Sequence, residues 1–224
     1  MNIIDVDPSD SSLKTARERF ELIKNGPVAH KIAFAATIPR KQKIDIALIA
    51  TCSDVRASIV KALLEYNNVK YLILEKILFN RKRDYADIEK IVNKRRIKTW
   101  VNCPMRMMPA YQNIEKYFKG KIISYTVTGI TGNQVGLITS SIHYLDHVAH
   151  LSGTTKFIIN TAGLDPRIIP SKRKGFVEFN GTLTAHYNNG SSANIISYSN
   201  GNAPIVVQIH SNNAVQSVQL FFIQ

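Results

Sequence analysis

The feature that most restricts how this chain can fold is the run IDIALIAT at residues 44–51, which is near-continuously apolar. A strand of that kind is stable only where both of its faces are covered, as in a parallel sheet clad by helices on either side. The segment that follows, SDVRASIVKALLEY, repeats at helical spacing, with Val55, Ile59, Ala62 and Leu63 read as one apolar stripe. A second apolar run, YLIL at 71–74, comes next. A basic helix around 81–93 and a strand at 98–103 complete an alternation of strand and helix that predicts parallel strands joined by right-handed crossovers. Such sheets bind nucleotides at the carboxyl ends of their strands.

The beginning of the chain obeys the same grammar. Residues 2–6 read as a short strand, Asp7, Pro8, Ser9 and Asp10 supply turn and cap chemistry, and Leu13, Ala16, Phe20 and Ile23 predict a helix that stops at Asn25-Gly26-Pro27. In a dinucleotide-binding sheet an acidic residue after the second strand takes the ribose hydroxyls, and a Gly-rich phosphate loop follows the first strand. Asp5 stands at the ribose position, unless it serves the turn. The strand and loop that belong ahead of it would then lie before residue 1, so the expectation is a sheet lacking its first strand and weak or absent NAD or NADP binding. The glycines 129, 132 and 136 follow a later strand at the wrong spacing for a phosphate loop and read as an ordinary loop.

After a helix at 107–118 the period changes to two. Alternating strands are predicted from residue 121, at 182–187 and at 193–198, the last two joined by Asn188-Asn189-Gly190-Ser191, a strong hairpin signal. Residues 205–209 and 215–223 form a further pair, and a helix at 140–151 is expected against the sheet. The apolar ending Leu220-Phe221-Phe222-Ile223 calls for a cover. The fold expected is therefore α/β followed by α+β: an incomplete Rossmann-type parallel sheet over 1–102, then a mostly antiparallel sheet with helices on one face over 103–224.

Charge and cysteine content narrow the partners. The chain of 224 residues has 29 Lys plus Arg against 16 Asp plus Glu, a net charge of +13, which favours an anionic ligand. The basic clusters 81–83, 94–96 and 172–174 fall at helix ends or in loops without interleaved aromatics, so they read as solvated faces and no nucleic-acid partner is expected. Cys52 and Cys103 have neither metal-site nor disulfide spacing. No stretch approaches the ~18 apolar residues of a membrane span, and the acidic start MNIIDVDPSD is unlike a targeting peptide. A cytoplasmic protein with no membrane partner is the expectation.

Residues 46–78, IALIATCSDVRASIVKALLEYNNVKYLILEKIL, resemble the glucose-fructose oxidoreductase and inositol dehydrogenase (Gfo/Idh/MocA) family of nicotinamide-dependent enzymes. The match is one of order: a strand ending in Ala50-Thr51, a helix, a strand, then Glu75-Lys76, with Ile77 where the family has proline. An Arg-containing turn, CPMRMMP, follows, and the stretch from Trp100 to Pro109 is most similar to the polysaccharide-biosynthesis branch. In the second half the family carries Asp-x-x-x-His with a trailing aspartate. His143 and Asp146 match that pattern, and Thr139 stands in place of the first aspartate.

The resemblance implies an NAD(P)-dependent oxidoreductase acting on a sugar or nucleotide sugar in surface-polysaccharide biosynthesis, homo-oligomeric through its C-terminal sheet. It assigns catalysis to Lys76 and His143, converging on one cleft. Cofactor contacts fall to Asp5, Ala50, Thr51, Glu75 and Lys76, and substrate contacts to Arg106, Thr139 and Asp146. Oxidation of a secondary alcohol needs a base and a donor or cation at the developing alkoxide, and a lysine and a histidine can divide those tasks. The plainer readings stand beside these: Lys76 as a strand-end cation, Arg106 as an exposed arginine, Asp146 as a partner for a cation. His147 and His150 are read as core or solvated histidines rather than metal ligands. The alternative to an enzyme is a non-catalytic or truncated relative that cannot hold the dinucleotide.

Overall fold

The computed structural model describes residues 1–23, 30–130, 136–171, 173–199 and 204–220. The chain divides into two compact units, Met1–Val101 and Asn102–Gln224.

In the first unit, β1 (Asn2–Val6) leads through α1 (Asp10–Glu21) to β2 (Lys31–Ala35), and β1 and β2 pair in parallel from Asn2 opposite Lys31 to Val6 opposite Ala35. The turn before α1 is built by Asp7, whose carboxylate accepts from the Ser9 amide at 2.8 Å, while the Ser9 hydroxyl accepts from the Ser12 amide at 3.3 Å and caps the helix. β2 was not expected from the sequence, and the Asn25-Gly26-Pro27 stop lies outside the described residues. Then β3 (Lys43–Ile49), α2 (Ser53–Tyr66), β4 (Asn68–Glu75), α3 (Lys82–Lys94) and β5 (Lys98–Asn102) follow, with β3-β4-β5 forming a separate three-stranded sheet in which β3 and β4 run parallel. One face of this sheet makes the core: Ala47, Ile49, Leu72 and Leu74 pack with Ala57, Val60, Leu63 and Leu64 of α2 and Ile88 and Val92 of α3. The other face carries Ile46 and Leu48, 61% and 58% exposed, and Trp100, whose ring centroid is 5.9 Å from that of Tyr71.

The buried stripe of α2 differs from the sequence expectation. Val55 is 44% exposed, and the residues turned inward are Arg56, Ala57, Val60, Leu63 and Leu64. The stripe is rotated by one residue, about 100° of helix, and an arginine lies on it.

The second unit opens with a 3₁₀ turn (Pro104–Met107) and α4 (Pro109–Phe118), then β6 (Ser124–Ile130), α5 (Leu137–Ser152), β7 (Phe157–Pro170), β8 (Val177–Tyr187), β9 (Ser192–Ser197), β10 (Ile205–Ser211) and β11 (Ala214–Leu220). The strands form one sheet in the order β11-β10-β6-β9-β8-β7, antiparallel except where β6 meets β9. The β8-β9 hairpin turns through Gly190 at φ +90, a conformation that needs glycine. α4 and α5 lay Tyr111, Ile114, Phe118, Leu137, Val148 and Leu151 against Tyr125, Val127, Ala185 and Ile195 of the sheet. Each large apolar side chain so buried contributes roughly 1.5–3 kcal/mol.

β7, a 14-residue edge strand, was missing from the sequence expectation because Phe157, Ile158 and Ile159 run consecutively and Gly163, Pro166 and Pro170 interrupt the pattern. The structure accommodates them with two register shifts against β8. Opposite them stands Gly181 at φ +114, where a Cβ would come within 2.3 Å of the Gly163 carbonyl oxygen. The apolar chain end at 221–223, residues 131–135 of the Gly129–Gly136 loop and Lys172 lie outside the described residues.

Candidate active site

The strand ends of the first unit carry the residues assigned to the cofactor. Asp5 lies partly buried near the end of β1, opposite Phe34, and the turn role falls to Asp7. Ala50 and Thr51 follow β3 directly, with Thr51 Oγ1 buried and lacking a hydrogen-bond partner. Glu75 ends β4, Lys76 follows it, both partly buried, and the Lys76–Ile77 peptide is cis. These two ends are tied together by a residue that the motifs had passed over. The guanidinium of Arg56, 2% exposed, donates from Nη1 to the carbonyls of Glu75 at 2.7 Å, Leu78 at 2.9 Å and Ile77, and from Nη2 to the carbonyl of Thr51. Just beyond, Ser53 Oγ donates to Asn80 Oδ1 at 2.5 Å, another link between the same two loops. The signal for Arg56 was its spacing from Val60, Leu63 and Leu64, at i+4, i+7 and i+8 on the buried stripe.

In the second unit α5 carries Thr139, His143, Asp146, His147 and His150. Its first residue is preceded by Gly136, which offers no side-chain cap, and Glu178 of β8 supplies one: its carboxylate accepts from the amides of Ile138 at 2.8 Å and Thr139 at 3.2 Å. A Cβ at position 136 would come within 1.9 Å of the Glu178 carboxyl carbon, so glycine here makes room for the cap. Glu178, 4% exposed, thus places a carboxylate beside the backbone of Thr139. No sequence rule would find it, because the cap comes from a strand 39 residues farther along the chain.

One turn on, His143 is partly buried. Asp146 and Arg106 are paired with each other: Arg106 Nε donates to Asp146 Oδ2 at 3.0 Å and Nη2 to Oδ1, a two-pronged contact joining the 3₁₀ turn to α5. His147 is enclosed, its Nδ1 3.0 Å from the Tyr125 hydroxyl and its ring edge-on to Tyr111 with centroids 4.9 Å apart. Burial, with repulsion from His150 and Arg106, lowers its pKa to about 4. Burial also raises Tyr125 well above its usual value and Tyr144 to about 12, so this nest is neutral. His150 instead faces Glu115, 3.2 Å away, with Lys119 completing a surface trio.

The geometry brings Thr51 together with Glu75 in the first unit, and Arg106 with Asp146, and Thr139 with Glu178, in the second. Lys76 belongs to the first unit and His143 to the second.

No family model matches the sequence, and no curated protein matches it either. Solved structures do. The WlbA dehydrogenase from Bordetella pertussis, in complex with NADH and UDP-GlcNAcA, is similar over 97% of this chain and 69% of its own, with a TM-score of 0.71 at 15% identity. The UDP-N-acetylglucosamine 3-dehydrogenase GnnA from Acidithiobacillus ferrooxidans covers 98% of this chain and 74% of its own, with a TM-score of 0.65 at 13% identity. The dehydrogenase MviM from Clostridium difficile covers 98% and 77%, with a TM-score of 0.63 at 15% identity. The chain has the fold of the Gfo/Idh/MocA-type dehydrogenases. The small parallel sheets followed by a mixed, mostly antiparallel sheet with helices are consistent with that fold. Among the described residues no helix is long and apolar enough to cross a membrane.

Proposed function

We propose that the protein is an NAD(P)-dependent oxidoreductase acting on a sugar or, more narrowly, a nucleotide sugar of surface-polysaccharide biosynthesis. The observation that carries this reading is the pair of adjacent strand ends, Ala50-Thr51 and Glu75-Lys76, held together at the carboxyl edge of a parallel sheet, where such folds bind nucleotides. Support comes from the fold shared with an NADH complex and a UDP-sugar dehydrogenase.

A nicotinamide group, when bound, accepts the hydride from the carbinol carbon; the chain's own residues handle the proton and the charge. Lys76 is assigned to the oxygen that gains negative charge, and His143 to the proton released from the hydroxyl. Thr139 offers a hydroxyl to the substrate, and the Arg106–Asp146 pair acts as a unit toward sugar hydroxyls. Association of copies is assigned to the C-terminal sheet.

The strand ends support the two halves of the cofactor separately: Thr51 Oγ1, a buried polar atom without a hydrogen-bond partner, suits the nicotinamide side, and Asp5, with the turn built by Asp7, is assigned to the adenosine ribose. The pyrophosphate is less well served, because the described residues of the first unit contain no glycine, and close approach of backbone amides to phosphate ordinarily depends on one. Fluorescence titration with NADH is therefore expected to saturate with a Kd on the order of 1 mM, about −4 kcal/mol, and to weaken in Thr51→Val. Micromolar affinity would refute the pyrophosphate argument; no saturable binding at all would refute the site.

A further inference from the structure

We infer that Arg56 is a positioning residue for Lys76: its guanidinium fixes the backbone on both sides of that lysine and so determines where the ammonium stands. This rests on the reading above that Lys76 meets the substrate, although the geometry of the clamp does not. The carbonyls of Glu75 and Ile77 flank residue 76, and both accept from the same Nη1; the carbonyl of Leu78 accepts from it as well. On the other side Nη2 holds Thr51, which closes the loop after the neighbouring strand. One planar group therefore spans two loops that belong to separate strands, its farthest acceptor along the chain, Leu78, lying 22 residues from Arg56.

Keeping a guanidinium 2% exposed carries a large desolvation cost, which several well-aimed acceptors must offset. A core that needed only volume at this point of α2 would be served by leucine or methionine beside Val60 and Leu64. What an arginine adds is a rigid fork whose prongs lie at set angles, so the loops it touches cannot rotate independently. An ammonium has no such plane: Lys at position 56 would keep the charge and the stem yet lose the simultaneous hold on Thr51 and on the 75–78 segment.

The test reads Lys76 itself and needs neither cofactor nor sugar. The full-length protein is trace-acetylated with acetic anhydride, and the rate at Lys76 is compared by peptide mass spectrometry with that at Lys14 in the same chain. In Arg56→Ala, shown folded by its circular dichroism melt, the Lys76-to-Lys14 ratio is expected to change by roughly threefold or more, since moving a side chain off its place alters its reactivity steeply. Millimolar ethylguanidinium should restore the wild-type ratio by refilling the carbonyl cradle, and ethylammonium should not. A purely packing role would lower the melting temperature without this selective rescue. Should Arg56→Ala fail to fold, Arg56→Lys takes its place, with the same change in ratio expected. An unaltered Lys76 ratio in either folded variant, or equal rescue by both ions, overturns the inference. Absence of NADH binding alongside a changed and rescued ratio would leave Arg56 in its role and remove the dehydrogenase reading instead.

Discussion

Acidification should destabilise the second unit through His147 in a way that one substitution removes. The imidazole is 1% exposed, and its pKa in the folded protein falls from 6.5 to about 4, chiefly through burial. Above pH 6.5 the ring is neutral in both folded and unfolded chains and contributes no pH dependence. As pH falls through 6.5 toward 4, the unfolded chain takes up a proton that the folded one refuses, so stability drops across that window. The loss from this group reaches ~2 kcal/mol near pH 5 and ~3 kcal/mol once pH is below both values, at 1.36 kcal/mol for each unit of separation. His147→Gln keeps a polar partner for the Tyr125 hydroxyl and cannot titrate. The single tryptophan, Trp100, reports the first unit, so the second is followed by amide exchange along α5. Wild type should lose ~2 kcal/mol more than His147→Gln between pH 7 and about pH 5. Equal losses in the two proteins, or an NMR titration of His147 centred near 6.5, would refute the reasoning.

Glu178→Gln should destabilise α5 by ~1–3 kcal/mol in the same exchange experiment, because a charge-assisted acceptor is lost from two helix-end amides and one of them faces an NH₂ group; protection unchanged at the first turn would contradict the cap. Arg106→Ala should change stability by less than ~1 kcal/mol, since the side chain is 38% exposed and water screens the pair. If the pair contacts substrate, the same variant should raise KM for a UDP-sugar and leave kcat nearly unchanged; an unaltered KM would assign Arg106 and Asp146 to structure alone.

Much of the fold could be read from side-chain pattern because local rules governed it. β3 and β4 announced themselves as strands buried on both faces, although β3 leaves Ile46 and Leu48 exposed. The Asn188-Asn189-Gly190-Ser191 turn followed from the one conformation that Gly190 adopts. β2 and β7 escaped notice, β7 for a physical reason: it is an edge strand whose Pro and Gly residues are tolerated because its register shifts around them. The strand ends to which the candidate residues Thr51, Glu75 and Lys76 belong were legible, and the residues lie where the sequence placed them. The site was illegible where distant segments meet. Arg56 belonged to a helical stripe misread by one residue, Glu178 caps a helix from another element, and Arg106 found Asp146 forty positions away. Hydrogen bonds of that kind are set by packing and leave no periodic trace in a single sequence.

The central claim is that the strand end after β4 carries the chemistry, and turnover in Lys76→Ala tests it most directly. NADH formation at 340 nm is measured for wild type and variant with saturating NAD⁺ and UDP-N-acetylglucosamine or its uronic acid. A drop of more than ~100-fold, with the melting temperature preserved, is the result expected for a positioned acid/base or charge-stabilising group. Turnover in the variant equal to that of wild type would contradict the account.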